Sequence, residues 1–297
     1  MELKKASDRN LIQELSERLI KKQEDYLLIQ LAEVNKKLQE AESIKSNFIS
    51  NVTNEIINPF TSIIGLSKNI MSMEGNNMDR AKSMASLIQS EAYDLDFQLK
   101  NIFAAAKFEA GQLTPEYTKV DICPLLNNII DIYHYKADQK QIKIQLCQKI
   151  KTDNKNKLWF ITDPDKLRLI ISNLLNNSIK YSNVADKIII EAAIVKNELK
   201  IIVKDYGIGI DQQNMKIIFD RFKRANLEIN SLIRGHGLGL SVVKASLDIL
   251  GGKIDVKSKP KQGTKAEISI PAPEGIRNID MFSADSDEVF FGENELF

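Results

Sequence analysis

Two asparagines and a lysine recur at helical spacing in the segment NLLNNSIKYS, which begins at Asn173. Asn173, Asn177 and Lys180 are separated by four and then three positions, so on a helix their side chains share one face. Two amide oxygens and an ammonium group suit a magnesium ion that bridges phosphates, because magnesium prefers oxygen ligands and lysine neutralises phosphate charge. Taken alone, the spacing is more typical of the solvent-facing side of an amphipathic helix.

The segment DYGIGI follows a predicted strand and offers groups that suit a flat heterocycle. The carboxylate of Asp205 can accept a hydrogen bond from an exocyclic amine. Gly207 and Gly209 carry no side chain, so the backbone can approach a ring closely. A single segment of this kind is often only a turn.

The segment GHGLGLS offers groups that suit phosphate. Gly235, Gly237 and Gly239 open a predicted helix, where backbone amides and the helix dipole can receive phosphate oxygens. A glycine triplet alone is a weak signal, but here it lies 30 positions after Asp205, which itself lies 28 positions after Asn177. Three such segments in one domain make a much stronger signal than any one of them.

The elements that must position these residues form an α/β pattern after the linker LTPEYTKVD. We predict helices over 121–138, 163–181 and 238–250, the first capped by Asp121 and the last ended by Gly251. We predict strands at IKIQLC, KLWFIT, KIIIEAAIV, NELKIIVKD, GKIDVKS and GTKAEISI, with a hairpin turn at Lys196 and Asn197. This order predicts a sandwich in which helices cover one face of a mixed sheet.

The preceding part of the chain is predicted to be helical. Residues 8–46 contain no glycine or proline, and a seam of apolar residues recurs at steps of four and three: Leu27, Leu31, Val34, Leu38 and Ala41. This seam favours a coiled coil, and therefore a dimer, over a single amphipathic helix packed on its own domain. Pro59 is expected to bend the helix locally. The MEGNNMD turn and a second helix over 80–110, ended by Gly111, complete a hairpin that would pair with a second copy as a four-helix bundle.

These patterns predict an α plus α/β fold and four regions. They are a coiled-coil helix at 1–45, a helical hairpin at 46–113, an α/β nucleotide-binding domain at 118–273 and an acidic, mobile tail at 274–297. The tail holds seven acidic residues and one arginine. The formal net charge of +1 gives no indication of nucleic acid binding, and the two cysteines are too few for a disulfide framework. With no signal peptide pattern or apolar run of membrane-spanning length, we expect a cytoplasmic protein.

The motifs together resemble those of the sensor histidine kinases of two-component signalling. NLLNNSIKYS resembles the asparagine box of that family, DYGIGI and GHGLGLS its two glycine boxes, and IFDRFKR its phenylalanine box. Their order and spacing are similar to those of the family's Bergerat ATP-binding fold, and the resemblance covers about residues 44–272. Gyrase, a class of heat-shock chaperones and the anti-sigma serine kinases share this ATP site, but the helical hairpin favours a two-component relative.

The resemblance implies ATP and Mg²⁺ as cofactors and a role for each matched residue. Asn177 would coordinate magnesium with Asn173 beside it, Lys180 would contact phosphate, and Asp205 would bind the adenine amine. Tyr181 would lie near the nucleotide, and 210–234 would form a mobile lid. The remaining residues that the resemblance assigns to the nucleotide site or its lid are Gly207, Gly209, Phe219, Phe222, Arg224, Arg234, Gly235, His236, Gly237, Leu238 and Gly239.

The segment FISNVTNEIINP departs from the family's phosphoacceptor helix at the reactive position. Phe48, Glu55 and Pro59 match, but Asn54 stands where the family has its phosphorylated histidine. An amide nitrogen has its lone pair delocalised into the carbonyl, so it does not attack phosphorus as imidazole does. The only histidines, His134 and His236, both fall outside the hairpin. The resemblance therefore implies a chain that does not phosphorylate itself at this position.

Four asparagines share the exposed side of this helix at helical spacing: Asn47, Asn51, Asn54 and Asn58. In the family, an acidic residue and an amide or threonine three positions later are implicated in hydrolysing the phosphorylated response regulator, and here that pair is Glu55 and Asn58. Three functions therefore stay open. They are an ATP-binding pseudokinase that acts on a partner kinase or response regulator, an enzyme acting on a partner such as a regulator phosphatase, and an active kinase silenced by a designed change at Asn54.

Overall fold

The computed structural model of this chain describes residues 2–73, 77–112, 114–148, 157–220, 237–274 and 281–282. The chain divides into two compact units, Met1–Ser50 and Asn51–Phe297. The helices are α1 (Glu2–Met71), α2 (Met78–Glu109), α3 (Ile122–Gln139), α4 (Pro164–Tyr181) and α5 (Gly239–Ile249), with a 3-10 turn at Asn214–Lys216. The strands are β1 (Thr118–Asp121), β2 (Lys143–Gln148), β3 (Trp159–Thr162), β4 (Lys187–Val195), β5 (Glu198–Lys204), β6 (Lys253–Ser258), β7 (Thr264–Pro271) and β8 (Met281–Phe282).

The first unit is the N-terminal part of α1, which exposes its apolar seam. Leu27, Leu31, Val34 and Leu38 each leave between 55% and 62% of their surface accessible, whereas the side chain of Ala41 lies outside the described residues. Burying such side chains would contribute about 1.5–3 kcal/mol each. The helix is confirmed, while the coiled coil and the dimer stay predictions. Among the described helices, none is long and apolar enough to cross a membrane.

The second unit contains the helical hairpin formed by the end of α1 and α2. The helix continues through Pro59, whose side chain is buried, and Thr61 Oγ1 donates a hydrogen bond to the carbonyl of Ile57 at 2.9 Å. After α2 the chain turns at Gly111, which adopts φ +65°, as the sequence predicts for a helix end. The predicted turn between the helices falls partly outside the described residues.

A mixed five-stranded sheet forms the base of the α/β part, in the order β2-β4-β5-β7-β6. Strand β2 runs parallel to β4, and the other pairs are antiparallel. The predicted hairpin between β4 and β5 is confirmed, because Lys196 and Asn197 adopt φ values of 51° and 66° that match the twist of a two-residue turn.

Helices α3, α4 and α5 pack together over one face of this sheet, which confirms the predicted sandwich. Asp121 caps α3 by accepting a hydrogen bond from the Cys123 amide at 3.4 Å. Asp163 caps α4 by accepting from the amides of Asp165 and Lys166 at 3.0 and 2.9 Å. Both capping residues come directly before an apolar helix, so the sequence marks where the helices begin.

A second small sheet was absent from the sequence predictions. The predicted linker before α3 contains β1, which pairs antiparallel with β3 and parallel with β8. Strand β1 has only four residues, and Val120 is its one fully buried side chain. A segment this short cannot show the alternating pattern of a strand. Strand β8 belongs to the tail, where the sequence predicted no strand, and the mobility of that tail stays a prediction.

Candidate nucleotide-binding site

Asp205 lies at the end of β5 with a carboxylate that is buried and incompletely paired. Its Oδ1 accepts hydrogen bonds from the amides of Gly207 and Thr264, both at 3.0 Å, while Oδ2 accepts a longer bond of 3.3 Å from Ser178 Oγ. Burial raises the pKa of the Asp205 carboxyl, and these hydrogen bonds act in the opposite direction. Because a carboxylate oxygen has two acceptor sites, Oδ2 can accept a further hydrogen bond from an amine.

The glycines that follow Asp205 have a packing role that the sequence did not predict. A Cβ on Gly207 would lie 2.2 Å from the carbonyl oxygen of Tyr181, and one on Gly209 would lie 1.9 Å from that of Lys259. Protein backbone therefore occupies the position that a side chain would take at either glycine. These close approaches join the loop after β5 to the end of α4 and to the turn between β6 and β7, and the Ile208 amide donates to the Tyr181 carbonyl at 3.1 Å.

The N-terminus of α5 lies against the predicted magnesium ligands on α4. A Cβ on Gly239 would lie 2.7 Å from Asn173 Oδ1 and 3.8 Å from Asn177 Nδ2. Leu238 precedes this helix and provides no side-chain cap for its first amides. Uncapped first-turn amides attract anions, so phosphate oxygens fit beside the half-buried Asn177. Leu238 itself was predicted as a binding residue, but its side chain is fully buried and only its backbone borders the site.

Asn173 is the residue whose surroundings differ most from the prediction. It is only 2% exposed, and its Nδ2 donates hydrogen bonds to Asn101 Oδ1 at 2.7 Å and to the Leu169 carbonyl at 2.9 Å. Asn101 belongs to α2 and is 1% exposed, and its own Nδ2 donates to the Phe97 carbonyl at 2.9 Å. The asparagine expected at the nucleotide thus joins the hairpin to the α/β part.

Two further contacts join α2 to α3 beside this hydrogen bond. Lys136 forms an ion pair with Asp94, and the rings of Phe97 and Tyr133 meet edge to face with centroids 6.3 Å apart. Burial raises the pKa of Asp94, while the charge of Lys136 and its hydrogen bond lower it. The contact between α2 and the α/β part therefore combines a salt bridge, an aromatic pair and a buried amide pair.

The end of α4 is held by Lys140, which follows α3. Its ammonium group donates to the carbonyls of Ile179, Lys180 and Ser182 at 2.9, 2.9 and 3.3 Å. Burial lowers the pKa of this lysine. These bonds satisfy carbonyls that a helix end leaves unpaired, and so they position Lys180 and Tyr181. Both side chains are half-buried, with Lys180 Nζ 5.3 Å from the centroid of the Tyr181 ring.

Only the first part of the predicted lid lies in the described part of the chain. Phe219 is half-buried, with Lys244 Nζ 6.0 Å from its ring centroid. Gly237 adopts φ 73°, which favours glycine. The predicted lid and phosphate residues that fall outside the described residues are Phe222, Arg224, Arg234, Gly235 and His236.

Asn54, which the resemblance places at the phosphoacceptor position, lies on the exposed side of α1. Asn54 and Asn58 are both exposed, whereas the side chains of Asn47, Asn51 and Glu55 fall outside the described residues. His134 is an exposed residue of α3 whose Nδ1 pairs with Asp138 at 2.8 Å. Within the described residues, no cluster of three His, Cys, Asp or Glu side chains is arranged to hold a metal ion.

Sequence patterns did not single out four residues that shape this site: Asn101, Lys140, Ser178 and Thr264. Ser178 lies inside the segment NLLNNSIKYS and Thr264 inside the predicted strand GTKAEISI, so these two segments were the available signal. Asn101 stands in the mostly apolar run NIFAAAKF, where a buried polar residue needs a partner. Lys140 had no distinguishing signal, because its role arises from a contact with residues about 40 positions later.

Comparison with known proteins agrees with this architecture. Residues 162–274 match the family described as histidine kinase-, DNA gyrase B-, and HSP90-like ATPase, a domain that binds ATP, usually with Mg²⁺. The circadian input-output histidine kinase CikA of a Synechocystis species is 31% identical over 78% of this chain and 31% of its own length. Sensor protein GacS of Pseudomonas syringae pv. syringae is 30% identical over 83% of this chain and 27% of its own length. Over most of its length, this chain is therefore similar to part of each of these histidine kinases.

Solved structures show the same fold at lower identity. Full-length ShkA in complex with AMPPNP has a TM-score of 0.52 and 20% identity, covering 78% of this chain and 46% of that one. Histidine kinase ThkA in complex with response regulator protein TrrA has a TM-score of 0.50 and 19% identity, covering 80% of this chain and 65% of that one. The chain spans between 26% and 39% of the length of the first curated relatives that it matches.

Proposed function

We propose that this chain is an ATP-binding signalling module of a two-component pathway that does not phosphorylate itself at Asn54. Its nucleotide state sets how firmly the hairpin docks on the ATP-binding domain, and this docking controls a response regulator or a partner kinase. The observation that carries the proposal is the hydrogen bond between Asn173 and Asn101, because one of its partners comes from the asparagine box and the other from the hairpin.

The two ends of the Asn173 amide couple nucleotide binding to docking. Nδ2 bonds to Asn101, while Oδ1 faces the N-terminus of α5 at Gly239, where phosphate fits. Both atoms belong to one planar group, so turning Oδ1 toward a ligand moves Nδ2 away from Asn101. Leaving a buried amide without its partner costs about 1–3 kcal/mol, which is the usual size of coupling between two sites. Nucleotide binding is therefore expected to loosen the docked hairpin.

The described residues fit ATP and magnesium. Asp205 Oδ2 would accept a hydrogen bond from the adenine amine, and the first amides of α5 would receive phosphate oxygens. Asn177 would offer its amide oxygen to magnesium, and Lys180 would neutralise phosphate charge. Bound ATP would supply a transferable phosphoryl group, but the Asn54 amide nitrogen has no free lone pair with which to receive it.

Hydrogen–deuterium exchange of α2 tests the coupling directly. Adding a non-hydrolysable ATP analogue with Mg²⁺ should raise the exchange rates of the backbone amides of residues 94–105 about fivefold or more. Lowering the free energy of local opening by about 1 kcal/mol raises these rates by that factor. In Asn101→Ala, the same amides should exchange fast without nucleotide. Gln89→Ala, an exposed change on the same helix, should behave as the unchanged chain does.

Two results would separate the parts of this proposal. If the analogue binds by calorimetry but leaves exchange of α2 unchanged, the coupling through Asn173 is wrong. If the analogue fails to bind a chain that is folded by circular dichroism, the nucleotide-binding function itself is wrong.

A regulator phosphatase is a second candidate, supported by the exposed position of Asn58 on α1, one turn from Asn54. An amide at this place can hold a water in line with phosphorus while the regulator supplies its own magnesium. The chain should then accelerate decay of a phosphorylated response regulator, and Glu55→Ala or Asn58→Ala should abolish the acceleration. Equal decay rates with and without the chain would reject this activity.

A homodimer through the α1 seam completes the proposal and rests on the exposed Leu31 and Leu38. Because apolar seam residues drive coiled-coil pairing, Leu31→Glu combined with Leu38→Glu should convert a dimer into a monomer in analytical ultracentrifugation. A sedimenting species of unchanged mass would contradict this pairing.

A further inference from the structure

Three lysines stand side by side on the sheet face opposite the helices. Lys204 of β5 pairs in register with Lys265 of β7, and Lys265 pairs with Lys257 of β6. Val203, which precedes Lys204, and Ala266, which follows Lys265, are buried under the helices. Because side chains alternate along a strand, the lysines project from the opposite face of the sheet. Adjacent strands are about 4.8 Å apart, so the three lysine side chains start within about 10 Å of one another. Like charges directly opposite each other destabilise a sheet unless something offsets them.

The basic character extends to β4 around an aromatic ring. The ring of Tyr206 has Lys204 Nζ at 4.6 Å and Lys187 Nζ at 5.0 Å from its centroid. Acidic neighbours offset only part of this charge. Glu267 pairs with Lys265 at 2.8 Å, and its pKa is lowered by that hydrogen bond.

Lys257 also has an acidic partner, Asp255 at 3.2 Å, in an exposed pair. Such exposed pairs contribute little, about 0–1 kcal/mol each, and leave the lysines able to exchange partners. The turn after β6 adds two more exposed lysines, Lys259 and Lys261. We call the set of Lys187, Lys204, Lys257, Lys259, Lys261 and Lys265 the basic face.

A cavity of about 450 Å³ adjoins this basic face and is bordered by four of its lysines, Lys204, Lys257, Lys259 and Lys265. Its walls combine lysine side chains with the apolar Met215 and Val256. It also borders Asp205 and Thr264, so it adjoins the place proposed for adenine, whereas neither Asn177 nor Gly239 on the phosphate side contributes to it. An apolar wall with a cationic rim suits a segment in which an aromatic residue follows acidic ones.

We propose that the basic face binds residues 283–297 of this same chain, SADSDEVFFGENELF. This segment carries five acidic residues and no basic one. Asp285, Asp287 and Glu288 come directly before the apolar Val289, Phe290 and Phe291. In this segment the acidic residues precede the aromatic ones. The acidic residues would pair with the lysines, and the aromatic rings would contact the apolar wall of the cavity beside them.

The length of the segment allows this contact. Fifteen extended residues reach about 50 Å, whereas a domain of about 150 residues is about 40 Å across. Because the segment follows β8 in the same chain, its effective concentration is about millimolar. Weak surface ion pairs are therefore sufficient for occupancy at low salt. The inference rests on the lysines of the sheet face away from the helices and not on the proposed function, although the cavity beside them shares Asp205 with the place proposed for adenine.

Lysine reactivity in the full chain tests the contact. Trace acetylation followed by mass spectrometry should show reactivity at Lys204, Lys257 and Lys265 rising about threefold or more in the variant D285N/D287N/E288Q. The same rise should occur in the unchanged chain at 0.5 M NaCl, where screening weakens surface pairs. The charge-matched control D79N/E109Q/D248N, with exposed acids changed elsewhere, should leave these reactivities unchanged.

Carbodiimide cross-linking, which joins a carboxylate to a contacting amine, provides the second measurement. Cross-links should connect Asp285, Asp287 or Glu288 with lysines of the basic face, and in a mixture of isotopically light and heavy chains they should fall within one chain. Lysine reactivities that do not respond to the tail variant would overturn the proposal, and so would cross-links that join only different chains.

Discussion

The hairpin and the ATP-binding domain differ in how their chemistry is distributed over residues. In the domain, the candidate nucleotide site draws on α4, the loop after β5 and the start of α5, and its Asp205 carboxylate accepts three hydrogen bonds. In the hairpin, phosphoryl transfer would depend on one exposed position of α1, which holds Asn54. A single side chain therefore decides whether the hairpin reacts, whereas binding depends on many contacts.

Under the proposed function, this difference explains how signalling can persist without phosphoryl transfer. Attack on phosphorus requires one free lone pair, which an imidazole nitrogen has and an amide nitrogen lacks. The docking contact consists of a salt bridge, an aromatic pair and the Asn101–Asn173 hydrogen bond, and the hydrogen bond includes a residue of the predicted nucleotide site. Under the proposed function, the domain keeps its effect on the hairpin through this contact.

The largest expected effect comes from restoring the nucleophile by Asn54→His. If the ATP-binding domain is intact, labelled ATP with Mg²⁺ should label this variant at least about 100-fold above the unchanged chain, because a neutral imidazole nitrogen attacks phosphorus and an amide does not. The label should be stable in alkali and lost in acid, as expected of a phosphoramidate. Filter binding after each treatment measures it.

A matched control is available one turn further along α1. Asn58→His places an imidazole on another exposed asparagine of the same helix and should stay unlabelled, because transfer requires alignment with the bound nucleotide. Labelling of both variants would show unspecific transfer. Absence of label from Asn54→His, with ATP still bound, would show that the domain cannot reach the reactive pose.

The fold was more predictable from sequence than the contacts of the site. Capping by Asp121 and Asp163, and the turn at Lys196 and Asn197, are local effects that short segments encode. The pairing of Asn173 with Asn101 joins residues 72 positions apart, so helical spacing alone predicted the face of Asn173 but not its partner. Likewise, the close backbone packing at Gly207 involves the distant Tyr181 carbonyl.

An intermediate effect is expected for Asp205→Asn, which keeps the shape of the side chain. Hydrogen bonds to charged groups contribute about 1.5–3 kcal/mol, so ATP affinity measured by calorimetry should fall about 10- to 100-fold. Asp248→Asn, an exposed acid on α5, should bind ATP as the unchanged chain does. Equal affinities of the two variants would contradict the role of Asp205 at the adenine amine.

The same variant should change the pH dependence of stability. The folded pKa of Asp205 lies above its unfolded value because of burial, so the folded state holds the proton more strongly between the two values. Stability should therefore fall as pH rises through that window, and Asp205→Asn should remove this contribution. Urea unfolding of both chains between about pH 4 and pH 7 measures the difference.

The smallest effect is expected for Lys140→Met, which changes a residue that supports the candidate site without belonging to it. Losing charged hydrogen bonds to three carbonyls at the end of α4 should lower the free energy of unfolding by about 1–3 kcal/mol. Because the folded pKa of Lys140 lies below its unfolded value, the stability of the unchanged chain should gain from rising pH in that window, and the variant should lack this gain. Lys143→Met, an exposed lysine three positions later, should match the unchanged chain in urea unfolding. If Lys140→Met were as stable as this control, its ammonium group would not secure the end of α4.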